Sequence, residues 1–408
     1  MSETYERFLE ALRCAVCGKS VDWTEPISDQ EWGRLIRLSR EHSVAPLFAQ
    51  AVYRCPSLAV APTQQKTLLQ MAKRLTVFQA RRTAEFLLLY DALSRQGLRP
   101  AVMKGIVCRS LYPHPEQRFS VDEDLLIAPE DFPLYHRALT EYGLSLVKPN
   151  QPLADADEVS YQDKDRQLYI ELHMRPFPPD SKAYGDCNML FLGMLDRTVN
   201  IQVEEMPVRT LAPTDHLLYL LCHAYKHFLH SGVGIRQVCD IGMFTASYCS
   251  QLDWAHILKA CQDIRIDRFA AAIFRIAHRY LGFAFPDAFA AIIVDEEPLL
   301  QDILSGGLYG TVNIDRVHSS NMTLDAVAAS KAGKRRGGVL HSVFLPVDEL
   351  AGHYPYLRRY PVLLPLAWSQ RIWGYLSHKK GGRPVHPTES VRIGNTRIAL
   401  LRKYGIID

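Results

Sequence analysis

Apolar residues recur at helical spacing from the first residues to about Gly97. In "DQEWGRLIRLSREHSVAPLFAQAVY", Trp32, Leu35 and Ile36 share a helical face behind an acidic start, with Leu38 a further i+3 step from Leu35. "QQKTLLQMAKRLTVFQARRTAEFLLLYDALSRQG" predicts a longer helix closed by Gly97. The period then changes. "RPAVMKG" predicts a short buried strand ended by glycine, "FSVDEDLLI" an alternating second strand, and "RQLYIELHMRP" a third, stopped by Pro176. Between the last two, "PEDFPLYHRALTEYG" opens on proline and two acids and ends at Gly143, the marks of a helix. After Pro176 the pattern is mainly helical again. "APTDHLLYLLCHAYKHFLHSG" carries a Thr-Asp cap and ends at Gly232, and further helices follow in "GIRQVCDIGMFTASYC", "DWAHILKACQDI" and "RFAAAIFRIAHRYLG". The chain therefore divides into a helical region (1–97), a small α/β unit (98–180) and a second helical region (181–408), an α+β protein.

Acidic residues are poor strand formers, so their presence in two predicted strands calls for a reason. With side chains alternating faces, Phe119, Val121, Leu125 and Ile127 share one side of the second strand, and Asp122, Asp124 and Leu126 the other. In the third strand Leu168, Ile170 and Leu172 face the core, and Tyr169, Glu171, His173 and Arg175 face away. If the two strands are neighbours, Asp122, Asp124 and Glu171 meet as three carboxylates. Such a cluster repels itself unless a cation neutralises it. Acid oxygens together with substrate phosphates are the ligands Mg2+ prefers, and they suit in-line phosphoryl displacement. Upstream, Lys104 and Gly105 offer a charge and a backbone that phosphate can approach closely. Arg118 is a further candidate to neutralise phosphate. His173, on the face of Glu171, is placed to hydrogen-bond a ligating carboxylate or a nucleotide, or to serve structure alone.

Four histidines, His216, His223, His227 and His230, fall roughly on one face of the helix after Ala212. His223 and His227 have the i, i+4 spacing of a zinc pair, but no glutamate lies between them as in H-E-x-x-H and no third ligand stands out. A half-buried face against the α/β unit is the plainer reading. A third is nucleotide contact, with Lys226 and a histidine near the cleft binding the triphosphate; Asp240 is placed to cap or pair with this face.

Composition narrows the partners. With 48% hydrophobic and 22% charged residues, the chain is an ordinary globular one, and its net charge of +3 is too small to imply a long nucleic acid or a membrane surface. Nine cysteines without even spacing, and an N-terminus that reads as an amphipathic helix, fit reduced thiols in a cytoplasm. Cys14 and Cys17 have metal-like spacing but no second CxxC follows. No apolar run reaches the roughly 18 to 20 residues of a membrane span; "YPVLLPLAWSQRIWGYL" is read as a packed helix, and "ASKAGKRRGG" as a mobile, solvated loop.

The order "VMKG", "LYPHPEQRFSVDEDLLIAPEDF" and "YIELHMR" resembles the uncharacterised bacterial nucleotidyltransferase family, and the outer segments "EWGRLIRLSREHSVAPLFAQAV", "LAPTDHLLYLLCHAYKHF" and "VFLPVDELAGHYPYL" extend the likeness over nearly the whole chain. The resemblance implies a polymerase-beta-like nucleotidyltransferase core, a small mixed sheet backed by helices, flanked here by N-terminal and C-terminal helical regions. It implies Asp122 and Asp124 as paired metal ligands, Glu171 as a third acid that orients or deprotonates the acceptor hydroxyl, Lys104 and Gly105 as the nucleotide-binding turn, and a role for Lys226 at the triphosphate. The chain departs from the wider superfamily at two places. Ile106 follows Gly105 where a small residue is usual, with Ser110 the nearest substitute hydroxyl, and Glu123 separates the aspartates. Glu123 then sits at a sheet edge or pairs with a cation. The expected function is Mg2+-dependent transfer of NMP from an NTP to a hydroxyl or phosphate of a small molecule. The departures leave open a degenerate nucleotide-binding or scaffold protein, and the metal site alone leaves open a kinase-like transfer.

Overall fold

Ser28 starts the second helix: its hydroxyl accepts from Glu31 N at 3.2 Å, so the cap is a serine rather than the acid that follows it. That helix, α2 (Asp29–Glu41), buries Trp32, Leu35, Ile36 and Leu38, the residues whose spacing predicted it. In this computed structural model, which describes the chain except residues 154–155, 166, 308–313, 334–346, 351–353 and 378–386, α2 packs with α1 (Glu3–Val16), α3 (Ala45–Val52), α4 (Pro56–Ala59) and the long α5 (Pro62–Arg95). Gly97 follows α5 at φ +79°, a left-handed turn that suits glycine.

The sheet is larger than three strands. Seven strands, β1 (Ala101–Val102), β2 (Glu123–Leu126), β3 (Ser145–Leu146), β4 (Glu158–Gln162), β5 (Tyr169–His173), β6 (Thr198–Val203) and β7 (Met206–Leu211), form one mixed sheet in the order β3-β4-β5-β2-β1-β7-β6. β2 runs parallel to β5 and β1 parallel to β7; the other pairings are antiparallel. Beyond Pro176 the chain is mainly helical, as expected, but it also supplies the β6–β7 hairpin, which the pattern does not show. The second strand also starts later than its alternation suggested: Val121 lies outside it and is exposed, and only Glu123 to Leu126 pair.

Helices cover both faces, giving an α+β architecture around the mixed sheet. On one side, Phe86, Leu89 and Tyr90 of α5 and Leu139 of α7 (Phe132–Glu141) pack on Leu125, Ile170 and Leu172. On the other, Met103 and Leu126 join the core shared by the N-terminal helices with α8 (Pro213–His230) and α9 (Ile235–Tyr248). Between the sheet strands lies the short α6 (Ile106–Arg109).

α8 begins at Pro213 after Ala212, without the expected Thr-Asp cap. Asp215 instead accepts from Arg197 Nε at 2.9 Å, and Thr214 Oγ1 accepts from Asp253 N at 3.0 Å. At its other end, Arg397 donates to the carbonyls of Phe228 and His230, filling acceptors that the helix leaves open. The segment read as a loop from Ala329 is still helical to Lys331, whose ammonium lies 2.6 Å from the Asp186 carboxylate; residues 334–338 lie outside the described residues. Helix Leu364–Ser377 buries Ala367, and no helix among the described residues is long and apolar enough to cross a membrane.

Candidate active site

The site begins where β1 turns into α6. Gly105 has φ +54° and ψ −116°, and a Cβ there would lie 1.9 Å from Glu123 Oε2. Both the dihedrals and the contact demand glycine. The reason for the contact is that Glu123 Oε2 accepts from Ile106 N at 2.8 Å, holding the first amide of α6. The other oxygen of Glu123 accepts from Arg109, whose second Nη donates to Ser120 Oγ at 2.6 Å. Glu123 therefore pairs with a cation under the sheet, on the side of Leu125, and belongs to the scaffold of the turn. Burial pushes its carboxyl up from the usual range, against the pull of Arg109.

The opposite face of β2 carries the predicted acids. In the parallel β2–β5 register, Asp124 stands beside Glu171 and Leu126 beside His173. One donor atom each from Asp124, Glu171 and His173 lies within 4.8 Å of the other two. His173 Nε2 is 3.3 Å from Asp124 Oδ1 and 3.7 Å from Glu171 Oε2. Burial opposes charge on His173, yet its bonds to Asp124 and Glu171 outweigh this and push it up to about 9. Glu171 is pushed up by burial, with the nearby Asp124 charge adding to the effect and the His173 bond opposing it.

Asp122 precedes β2 and still reaches the same space through Lys104. The Lys104 ammonium lies 2.8 Å from Asp122 Oδ2 and 3.1 Å from Asp124 Oδ2. The first contact is an aligned hydrogen bond. The second is an ion pair by distance only, because Asp124 Oδ2 has no hydrogen-bond partner among the described residues. Burial opposes ionisation of Asp122, but the Lys104 charge holds it well below the usual carboxylate range. A third neighbour of the ammonium is His223 Nε2 of α8, at 3.2 Å. Because an ammonium only donates, this imidazole nitrogen accepts.

The cleft beside this turn is lined by Lys104, Gly105, Arg118, Asp122, His223 and Arg236. Arg118 is fixed within it: Nε donates to Asp240 Oδ1 at 3.0 Å, and Tyr112 donates to the same oxygen at 2.7 Å. Its Nη1 has no hydrogen-bond partner among the described residues. Asp240, expected to serve the histidine face, serves this arginine. Lys226 is half-buried on α8, and its charge disfavours protonation of His223, His227 and His230 after burial has already done so. The histidines separate into different roles. His216 is buried beside Thr210, His230 meets the Tyr184 hydroxyl at 3.0 Å, and His223 and His227 bring Nε2 atoms within 3.2 Å. Ser110 does not serve the turn; its hydroxyl donates to Val107 O at 2.9 Å.

Three contributors were not anticipated. Arg109 holds Glu123, Arg236 donates to Phe119 O beside the acids, and Glu158 of β4 lies 3.8 Å from His173 Nδ1. Glu158 was within reach of pattern reading, since "EVSYQ" alternates and forms the strand next to β5. An oxygen each of the buried Asp124 and the half-buried Glu171, with the His173 nitrogen once that imidazole loses its proton, form a donor set that fits a divalent cation.

A family model described as "Uncharacterised nucleotidyltransferase" matches residues 28–282, more than half of the 408-residue chain and all seven strands. Searches of curated proteins and of solved structures gave no match.

Proposed function

We propose, from the premise that this chain belongs to the uncharacterised nucleotidyltransferase family, that it moves NMP from a nucleoside triphosphate to a hydroxyl or phosphate of a small acceptor. The acceptor oxygen forms a bond to the α-phosphorus, the bond from that phosphorus to pyrophosphate breaks, and a hydroxyl acceptor gives up its proton. Glu171, with a carboxyl pushed up by burial, takes that proton. Asp122 and Asp124, with Glu171, would hold Mg2+, and His173 orients Asp124 and Glu171 through its Nε2 contacts to both. The ion, when bound, supplies positive charge to the triphosphate and the entering oxygen. The Lys104–Gly105 turn receives the phosphates, with Arg118 and Arg236 lending charge to the same cleft and Lys226, whose charge is felt at His223, adding more from α8. A net charge of +3 favours a small acceptor over a long nucleic acid.

The observation that carries this reading is the pairing of Asp124 with Glu171 across β2 and β5, with Lys104 in contact with both aspartates. The test is pyrophosphate release with each NTP and Mg2+ or Mn2+, beside nucleotide-dependent thermal shifts. Wild type should respond, and Asp124→Asn with Glu171→Gln should lose turnover by about 100-fold or more, the size of a lost acid–base contribution. Turnover that survives this double change defeats the assignment. The Ser110 hydroxyl turned back on Val107 favours a second reading, a nucleotide-binding protein without transfer. That reading predicts a thermal shift with NTP and no pyrophosphate.

A further inference from the structure

The Lys104 ammonium touches the carboxylate oxygens that a cation on the aspartates would use. It sits 2.8 Å from Asp122 Oδ2 and 3.1 Å from Asp124 Oδ2. A divalent ion of this kind binds carboxylate oxygen at about 2.0–2.2 Å, inside the space the ammonium fills, and two like charges so close repel strongly. We propose that Lys104 and a divalent cation are alternative occupants of the Asp122–Asp124 pair, so that loading the cation drives the lysine toward the cleft and onto phosphate. This rests on the reading that these aspartates hold a cation.

The surroundings supply what such an exchange needs. Lys104 is 8% exposed and Asp124 1%, so neither charge tolerates losing its counter-charge without a replacement. On the aspartates the replacement is the incoming cation. For Lys104, His223 Nε2 at 3.2 Å remains as an acceptor. The cleft carries Lys104, Arg118 and Arg236 against Asp122 and Asp240, so its basic side chains outnumber its acids and phosphate can add to it beside the Gly105 backbone. Triphosphate in the cleft therefore draws Lys104 off the aspartates, and a cation on the aspartates releases Lys104 to triphosphate. Each ligand should tighten the other by the same factor, since coupling between binding sites is reciprocal.

The experiment uses the full chain and Mn2+ as probe, with binding followed by electron paramagnetic resonance in the absence of nucleotide. Lys104→Met should bind Mn2+ at least tenfold more tightly than wild type, while Lys104→Arg, which keeps the charge, should show no such gain. In wild type, acetylation of Lys104 by acetic anhydride, mapped by mass spectrometry, should speed up several-fold when Mn2+ is added; this measurement needs no variant to fold. Equal or weaker Mn2+ binding by Lys104→Met, or an unchanged acetylation rate, overturns the exchange. If Asp122→Asn with Asp124→Asn abolishes Mn2+ binding while Lys104→Met gives no tightening, the exchange alone fails. If the asparagine variant still binds Mn2+ as wild type does, or wild type binds none, the metal reading fails and the exchange with it.

Discussion

Replacing Glu123 by glutamine separates the acid that builds the turn from the acids that face the cleft. Glu123 and Arg109 are each 1% exposed. One Glu123 oxygen accepts from Ile106 N at 2.8 Å and the other from Arg109. Burial pushes Glu123 up and Arg109 down, so their attraction does not fully offset the desolvation of both groups. Such a pair contributes little net stability as a unit, yet removing one partner strands the other charge in the interior. Glutamine keeps the shape and an oxygen for Ile106, but leaves the guanidinium without its counter-ion. The expected loss is roughly 3–5 kcal/mol, a large share of the ~5–15 kcal/mol that holds a typical fold. Adding Arg109→Met should restore most of it, because no buried charge is then left unpaired. Urea unfolding followed by circular dichroism, on wild type, both single variants and the double, gives the coupling directly. Folded Glu123→Gln should still bind Mn2+, since its carboxylate faces away from Asp124 and Glu171. A loss under about 1 kcal/mol for Glu123→Gln, or a double variant no more stable than Glu123→Gln, would refute this account of the pair.

Gly105→Ala should destabilise by several kcal/mol, because a positive-φ strain of about 1–3 kcal/mol adds to a Cβ placed 1.9 Å from Glu123 Oε2; a urea midpoint equal to wild type would contradict the turn geometry. His216 is fully buried, and burial holds it down at about 4, while the unfolded chain titrates near 6.5. The fold therefore takes up no proton where the unfolded chain does. Its contribution is fully present above about pH 6.5 and lost as pH falls toward 4, at about 1.4 kcal/mol per pH unit, some 3 kcal/mol in all. Because His42 and His230 are held down to about 4 as well, and burial also lowers His223 and His227, unfolding free energies measured from pH 7 to 4.5 should fall less steeply in His216→Phe than in wild type, by about 1.4 kcal/mol per pH unit.

Local periodicity exposed much of the fold. Trp32, Leu35 and Ile36 announced α2, and the alternation in "YIELHM" placed Glu171 and His173 opposite Ile170 and Leu172; Glu171 is half-buried, while His173 is buried against Asp124 and Glu171. That same alternation put Asp124 and Glu171 on matching faces, so a single assumption of strand adjacency was enough to bring them together. What escaped was information held at a distance or in unusual turn chemistry. The β6–β7 hairpin turns through Glu204 and Glu205, with Glu204 at φ +52°, instead of the Asn-Gly or Asp-Gly that signals such a turn, and Pro207 stands within the second strand. Arg118 read as a phosphate ligand because its partner, Asp240, is 122 positions away. Glu123 read as an anomaly because Arg109 meets it only once α6 has folded beneath the sheet.

The hairpin also sets the reach of the histidine helix. β7 is joined to β1 at Val102 and Thr210, and α8 begins at Pro213, leaving only Ala212 between strand and helix. The first turn of α8 is thus tied to the sheet with almost no slack. A slip of two residues in that pairing would carry the strand end by about 6.6 Å, twice the 3.2 Å that now separates Lys104 from His223. One inserted residue at Ala212 would swing the imidazole away from the lysine.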